Sequence, residues 1–134
     1  MSLPEKYDHL ETIKDIHDYF LRECQEGGNI EIVADFFTDD YVQHTPDPGQ
    51  AADRSGAVQA EIETHSALGD VTVEVIQQVV GADMIATYKI ISGRHVGEGL
   101  GTPPSGERVS FRVMDMVRYR DRQIAEHWHV LQEG

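Results

Sequence analysis

The spacing of apolar residues changes once along this 134-residue chain, from a helical period in the first half to a strand period in the second. Between residues 10 and 24, apolar side chains recur at steps of three and four, which predicts one face of a helix. A second apolar stripe covers residues 30–37, with Asn29 as its expected N-cap. A third helix is expected to begin at Ser55. Prolines and a glycine interrupt residues 41–50, which predicts an irregular segment.

The second half is rich in β-branched residues and is broken by polar turns, which is typical of strands. Four strands are predicted, at residues 71–80, 84–91, 108–118 and 124–131. Helices followed by a run of strands favour an α+β domain with an antiparallel sheet. The length allows one domain, placed at residues 4–132. Residues 1–3 and 133–134 are interpreted as possible remnants of an expression vector.

The charge of the chain is strongly acidic, because 24 acidic residues oppose 11 basic ones and give a net charge of −13. An anionic surface repels phosphate backbones, so nucleic acid is a poor candidate partner. The sequence has no apolar run of the length of a signal peptide or a membrane span. This predicts no membrane contact and a cytoplasmic location.

Strand alternation brings chemistry-bearing residues of the last two strands together. Asp115 shares a strand face with Phe111, Val113 and Val117, and a lone carboxylate among apolar neighbours is costly unless it is paired or used. On the last strand, His127 and His129 share a face that is opposed by Ile124, Glu126, Trp128 and Val130.

Asp115 and His129 are the predicted catalytic pair. A carboxylate beside an imidazole orients the ring and raises its pKa, so we expect His129 to titrate above its ordinary value and to act as a general base or acid. The alternative is a buried acid–imidazole pair that only satisfies itself.

The expected ligand is a small organic molecule, held by polar and apolar side chains around this pair. His44, on the irregular segment, and His127 are candidate polar contacts. Tyr41, Phe20, Phe111 and Val113 are candidates for the apolar wall. The His127–His129 spacing also permits a metal site with Asp115 or His44 as a third ligand. We favour a site without metal or cofactor, because alternate histidines often only line a polar wall.

The opposite face of these strands is apolar as well, since it carries Met114, Met116 and Trp128. The chain has too few helices to cover both faces of the sheet. The exposed face is therefore predicted to form a homodimer interface.

Several segments together resemble one protein family. Residues 93–97 (GRHVG), 101–106 (GTPPSG), 124–128 (IAEHW) and 41–46 (YVQHTP) are similar to segments of the SnoaL-like polyketide cyclases, within the nuclear transport factor 2-like superfamily. The resemblance extends over residues 10–131. It implies a cone-shaped α+β barrel, in which N-terminal helices pack in the concave face of a strongly curved antiparallel sheet around a deep cavity, in a dimer.

The resemblance also implies a chemistry. In the cyclases, a cavity aspartate on the last strand serves as acid/base in an intramolecular aldol condensation without metal or cofactor. That position here is His129, and the position of Asp115 is a histidine in the founding cyclase, so the two groups are exchanged. Two functions stay open: acid/base catalysis on an apolar carbonyl compound, or a dimeric module that binds a small molecule without chemistry. A third, with less support, is a domain that acts only through its dimer surface.

Overall fold

The structure is a computed structural model that describes residues 2–133; Met1 and Gly134 lie outside the described part. Of the terminal segments assigned to a vector, Leu3 is buried in the core and Glu133 is the last residue of a strand. The helices are α1 Ile13–Phe20, α2 Ile30–Val33 and α3 Arg54–Ala67. The strands are β1 Phe37–Gln43, β2 Leu68–Val80, β3 Met84–His95, β4 Arg108–Arg120 and β5 Gln123–Glu133. A π-helical segment, Leu21–Glu26, continues α1, and short 3-10 turns cover Glu5–Tyr7 and Ala34–Phe36.

The five strands form one sheet in the order β1-β5-β4-β3-β2. This confirms the predicted α+β class. The four predicted strands pair antiparallel, as expected, and the fifth strand, β1, which was not predicted, pairs with β5 in parallel. The sequence analysis missed β1, since it assigned this segment to a helix end and an irregular stretch. Asp39 and Asp40 are consecutive exposed residues in β1, so they interrupt the alternation of buried and exposed positions that would indicate a strand.

Two of the predicted helix caps differ from the structure. Asp53, not Ser55, caps α3 by accepting a hydrogen bond from the backbone N–H of Gly56. Asn29 makes no side-chain cap for α2. Gly28, with φ of +68°, takes the left-handed conformation that redirects the chain between the two helical segments. A capping box of Thr12 and Asp15 begins α1.

The helices pack on one face of the sheet, called here the inner face. Their apolar side chains meet inward-facing strand residues and form the main core, which includes Ile16, Phe20, Val33, Phe36, Ile85, Val117 and Ile124. This layer arrangement, helices on one side of a sheet, leaves the other face without a covering element from the described residues. We call that face the outer face.

A β-bulge in the β4–β5 hairpin decides which β5 side chains face inward. Next to the turn, Tyr119 lies opposite Ile124; beyond the bulge, Asp115 lies opposite His129. Because directly opposite residues share a face, Ile124 and His129 both point inward although their numbers differ by an odd step. The sequence analysis placed Ile124 on the face opposite the histidines, which is wrong for this reason. A hairpin without the extra residue would turn His129 to the outer face.

The hairpin turn is fixed by a contact with the N-terminal segment. Asp121 and Arg122 adopt positive φ values of 50° and 69°, as a two-residue hairpin turn requires. The Arg122 guanidinium donates hydrogen bonds to the backbone oxygens of Leu10 (2.8 Å) and Tyr7 (3.0 Å). These bonds hold the turn in place and therefore help to set the register that aligns Asp115 with His129.

Candidate active site

A chamber of about 130 Å³ lies between the helices and the inner face. Its apolar wall includes Phe20, Phe37, Tyr41, Val117 and Ile124. Its polar wall includes His17, Gln25, Glu61, Asp115, His127 and His129. A larger cleft of about 630 Å³ adjoins the chamber and shares Asp47, Gln50 and Ala60 with it. The small polar chamber and the larger cleft are therefore adjacent.

Asp115 is the most constrained acid of the chamber. The residue is 6% exposed, and its Oδ2 atom accepts from Lys89 Nζ at 3.1 Å and from His127 Nε2 at 3.2 Å. Burial alone raises the pKa of this carboxyl, but the positive charge of Lys89 and the bond from His127 outweigh it. The pKa therefore lies well below its ordinary value, and Asp115 is a fixed anion at neutral pH.

His127 has both ring nitrogens engaged. The backbone N–H of Thr45 donates to Gln43 Oε1 at 3.2 Å, which turns the Gln43 amide nitrogen toward His127 Nδ1 at 2.7 Å. Nδ1 therefore accepts, and Nε2 carries the hydrogen that it donates to Asp115. This network assigns His127 the neutral Nε2–H tautomer and leaves it no free lone pair for a substrate proton.

His129 lies beside His127, with the two rings stacked at 5.3 Å. The Thr45 hydroxyl donates to Gln43 and accepts from the backbone N–H of His129, so its remaining lone pair accepts from His129 Nδ1 at 3.0 Å. His129 Nε2 then keeps a free lone pair in the neutral ring. Its nearest charged neighbour is Asp47 Oδ1 at 3.5 Å, at the entrance to the cleft.

The prediction that the pKa of His129 lies above its ordinary value because of Asp115 is wrong. The two residues lie opposite each other on the sheet, but the Asp115 carboxylate is bound by Lys89 and His127. Burial, followed by the nearby His127, lowers the pKa of His129 below its ordinary value of 6.5, against the smaller opposing effects of Asp47 and Asp115. His129 is therefore a neutral imidazole at pH 7.

We expect the ring protons of His129 to titrate with a midpoint below 6.5 in NMR spectra, assigned by the loss of the signal in His129→Gln. Asp47→Asn should lower the midpoint further, because the Asp47 carboxylate favours the imidazolium. A midpoint above 6.5 in the unmodified protein would contradict the contacts described for this ring.

His17, to which the sequence analysis assigned no chemistry, also lines the chamber. Its Nδ1 atom lies 2.9 Å from the hydroxyl of Tyr119. Burial raises the pKa of Tyr119, which keeps its proton and donates it to Nδ1, and burial lowers the pKa of His17 to about 4. The ring is thus neutral with its hydrogen on Nε2. Within residues 2–133 this buried Nε2 has no hydrogen-bond partner.

Glu61 enters the chamber from α3, opposite the sheet. Its side chain is 14% exposed, and burial raises its pKa to about 7, with Lys89 acting in the opposite sense. The Nε2 atom of His65 lies 3.9 Å from Glu61 Oε2 and already contacts the backbone oxygens of Cys24 and Gln25. Glu61 is therefore present in both protonation states near neutral pH.

The structure brings together only part of the predicted site. Phe20, Tyr41, Asp115, His127 and His129 line the chamber, and Phe111 lines the cleft. Val113 is buried in the sheet beyond the residues that line either space.

His44 is not in the chamber, because the chain at the end of β1 turns its side chain to the outer face. There its ring stacks on Trp128 at 4.6 Å and its Nε2 atom contacts Glu126 at 3.0 Å.

The groups that the sequence pattern did not reveal include His17 and Glu61, which line the chamber, and Lys89, which binds Asp115. Lys89 lies on β3 at a position whose side chain faces inward. The sequence around this lysine gives no local sign that it is buried beside an acid. Glu61 and His17 lie on helices whose inward direction depends on packing. A weak signal exists for His17 alone, since it falls in the apolar helical repeat of α1.

Within residues 2–133, no group of three or more His, Cys, Asp or Glu side chains is arranged to hold a metal ion. The same residues contain no helix that is long and apolar enough to cross a membrane.

Comparisons with known proteins agree with this fold. The sequence profile of the SnoaL-like polyketide cyclases matches residues 16–133. Wild-type IdmH of Streptomyces antibioticus, a candidate polyketide cyclase, is 26% identical, with 91% of this chain and 93% of IdmH covered and a TM-score of 0.76. TsrD of Streptomyces laurentii is 25% identical over 90% of this chain and 87% of its own, with a TM-score of 0.78.

AclR of Streptomyces galilaeus, a candidate hydroxylase, shares the fold at 21% identity, with 92% and 76% of the two chains covered and a TM-score of 0.79. The search of curated protein sequences finds no match. The matching profile covers most of the chain, and the solved neighbours share its overall fold. The chain belongs to the SnoaL-like polyketide cyclase family.

Proposed function

We propose that this protein is a cofactor-independent acid/base enzyme that acts on a small, largely apolar carbonyl compound. His129 Nε2 removes a proton from the carbon next to the carbonyl group. The Nε2–H group of His17 donates a hydrogen bond to the oxygen on which negative charge develops. The reaction is an aldol cyclisation or an isomerisation, since both pass through such an enolate.

One observation carries this proposal: buried polar atoms without partners surround the chamber next to a neutral imidazole that keeps a free lone pair. Within the described residues, His17 Nε2, Gln25 Oε1 and Asp115 Oδ1 have no hydrogen-bond partner, and their residues line the chamber. Leaving buried polar atoms unpaired costs about 1–3 kcal/mol each. A bound ligand with a polar group would recover that cost, which supports a site built for a ligand.

The contacts support different tasks for Asp115 and His129, which the sequence predicted to be a catalytic pair. Asp115 holds His127, and Thr45 holds His129, whose Nε2 atom lies 3.5 Å from Asp47 Oδ1. In the proposed mechanism Asp115 is a positioning residue, and its fixed charge favours a nearby imidazolium once His129 has taken the proton. The stacked ring of His127 forms one side of the site.

The lining supports an uncharged substrate. The chamber has the apolar wall described above, and the adjoining cleft adds Leu68, Leu100 and Phe111. The cleft also carries the acids Asp47 and Glu63, which would repel an anion. We propose that the reacting carbonyl enters the chamber while the rest of the molecule occupies the cleft. The similar protein IdmH is described as a candidate polyketide cyclase, which supports a polyketide-type carbonyl compound as the substrate.

Proton exchange at carbon tests the proposal without knowledge of the natural substrate. The protein is incubated at pH 7 with acetophenone in D₂O, and methyl deuteration is followed by NMR. Deuteration faster than in buffer supports the enzyme.

Binding of acetophenone and larger aryl ketones, seen as a thermal shift, without deuteration of any of them would favour the alternative, a small-molecule-binding module. If the protein neither binds nor deuterates any of these ketones, the result would contradict both the enzyme and the binding module.

We also propose that the protein is a homodimer through the outer face. Met114 and Val130 are 58% and 67% exposed there, and Met116, Val79 and Trp128 extend the same apolar surface. A contiguous apolar surface of this kind is typical of a subunit interface.

Met114→Glu with Val130→Glu is expected to convert a dimer into a monomer in light scattering at micromolar concentration, because each copy would bury two adjacent negative charges without opposite partners. Glu31→Gln, on the exposed side of α2, is the control and should leave the mass unchanged. A monomeric mass for the unmodified protein would contradict the dimer.

A further inference from the structure

We infer that Glu61 is the general acid of this site, donating its carboxyl proton to the carbonyl oxygen while His129 takes the proton from carbon. This inference rests on the proposed function and adds the group that balances its proton transfers. Glu61 approaches from α3, on the side of the chamber opposite the β5 histidines, so the two groups can act on two ends of one enolising unit.

The surroundings of Glu61 leave it free for this task. His65, 3.9 Å away, is bound to the backbone after α1, and among the described residues no hydrogen bond is formed to the Glu61 carboxyl. Asp115, the other buried acid, is held as an anion by Lys89 and cannot donate. Glu61 is therefore the acid of the chamber that carries an available proton near pH 7.

The proton transfers balance over a full aldol cycle. His129 Nε2 takes the proton from carbon, the C–H electron pair forms the enol C=C bond, and the carbonyl oxygen takes the proton of Glu61. The enol carbon then attacks the second carbonyl group. The enol proton returns to the Glu61 carboxylate, and the imidazolium gives its proton to the new alkoxide. Both residues end in their starting states.

The pH profile of the reaction separates the two groups. His129 must be neutral and Glu61 protonated. The rate is therefore expected to fall at acid pH, where His129 with its lowered pKa takes up a proton, and at alkaline pH above about 7. The ionisable groups that face Glu61 across the chamber or pack near it are Lys89, His65, Cys24, His17, Asp115, His127, His129 and Asp47. Of these, the positive charge of Lys89 favours the ionised form of Glu61 and so limits the rise of its pKa.

Glu61→Gln is the test, measured by acetophenone deuteration from pH 5 to pH 9. We expect a loss of about 100-fold in rate and the disappearance of the alkaline limb. Glu61→Asp keeps a carboxyl in a displaced position and should lower the rate while retaining that limb. Glu31→Gln removes an exposed carboxylate from α2 and should change neither quantity.

A second measurement does not depend on activity. In protein with ¹³C-labelled glutamate carboxyls, one resonance should titrate near pH 7, be lost in Glu61→Gln and persist in Glu31→Gln. A glutamine variant with the unmodified rate and pH profile, in a protein that deuterates acetophenone and depends on His129, would overturn the role of Glu61 alone. No deuteration by the unmodified protein would overturn the proposed function and this inference with it.

Discussion

Replacing His129 with alanine is expected to lower the rate of acetophenone deuteration by about 100- to 10,000-fold, the usual contribution of one positioned acid/base group. The reason lies in the hydrogen bonds of the two stacked rings. His127 has both nitrogens engaged by Gln43 and Asp115, whereas His129 retains a free Nε2. The neighbouring imidazole therefore cannot replace His129 as the base.

The control for this variant is His9→Ala, which removes an imidazole from the exposed N-terminal segment. It should leave the rate unchanged. Thermal unfolding of both variants would show that the chain is folded, since His129 is at the rim of the chamber and not in the main core. A His129→Ala protein that deuterates the ketone at the unmodified rate would remove the base from the proposed mechanism.

Asp115→Asn is expected to lower the free energy of unfolding by about 3–5 kcal/mol, because it leaves the charge of Lys89 buried without its partner. Lys89 is 1% exposed, and its ammonium group lies 3.1 Å from Asp115 Oδ2. The folded state lowers the pKa of Asp115, so its contribution is present above the ordinary pKa of about 3.8 and is lost as the pH falls below that value. Urea unfolding at pH 7 measures the difference.

The matched control is the double variant Lys89→Met with Asp115→Leu, which replaces the ion pair by apolar side chains of similar size. We expect it to recover most of the lost stability, as replacement of buried ion pairs by apolar residues often does. A loss below about 1 kcal/mol in Asp115→Asn would show that Lys89 sheds its proton or reaches water in the variant, and that the buried pair does not depend on charge.

Local sequence patterns were sufficient for the fold class and for the existence of four strands. They were insufficient for β1, whose polar sequence becomes a strand only because β5 pairs with it across more than eighty residues. Alternation correctly grouped His127 with His129 but placed Ile124 on the wrong face. A bulge adds one residue to one strand, and nothing in the run from Gln123 to His127 indicates it locally.

The candidate site was predictable to the extent that it lies on alternating strand positions. Asp115 and the two β5 histidines do reach one chamber, but their pairing depends on Lys89, which faces the same side of the sheet from β3. The sequence predicted a bond between Asp115 and His129, but the bonds to Asp115 come from Lys89 and His127. Which of several nearby groups contacts a carboxylate depends on distances, which a one-dimensional pattern does not contain.

The position of β5 inside the sheet has a consequence for biosynthesis. β5 is the last of the five strands to leave the ribosome, yet it lies between β1 and β4. Until it emerges, β1 has no strand to pair with and the nascent chain presents an open edge along β4, which is a surface for unwanted association. The polypeptide can therefore place His127 and His129 in the chamber only in a late step. Chaperone protection of the β4 edge would matter most just before the translation of β5 is complete.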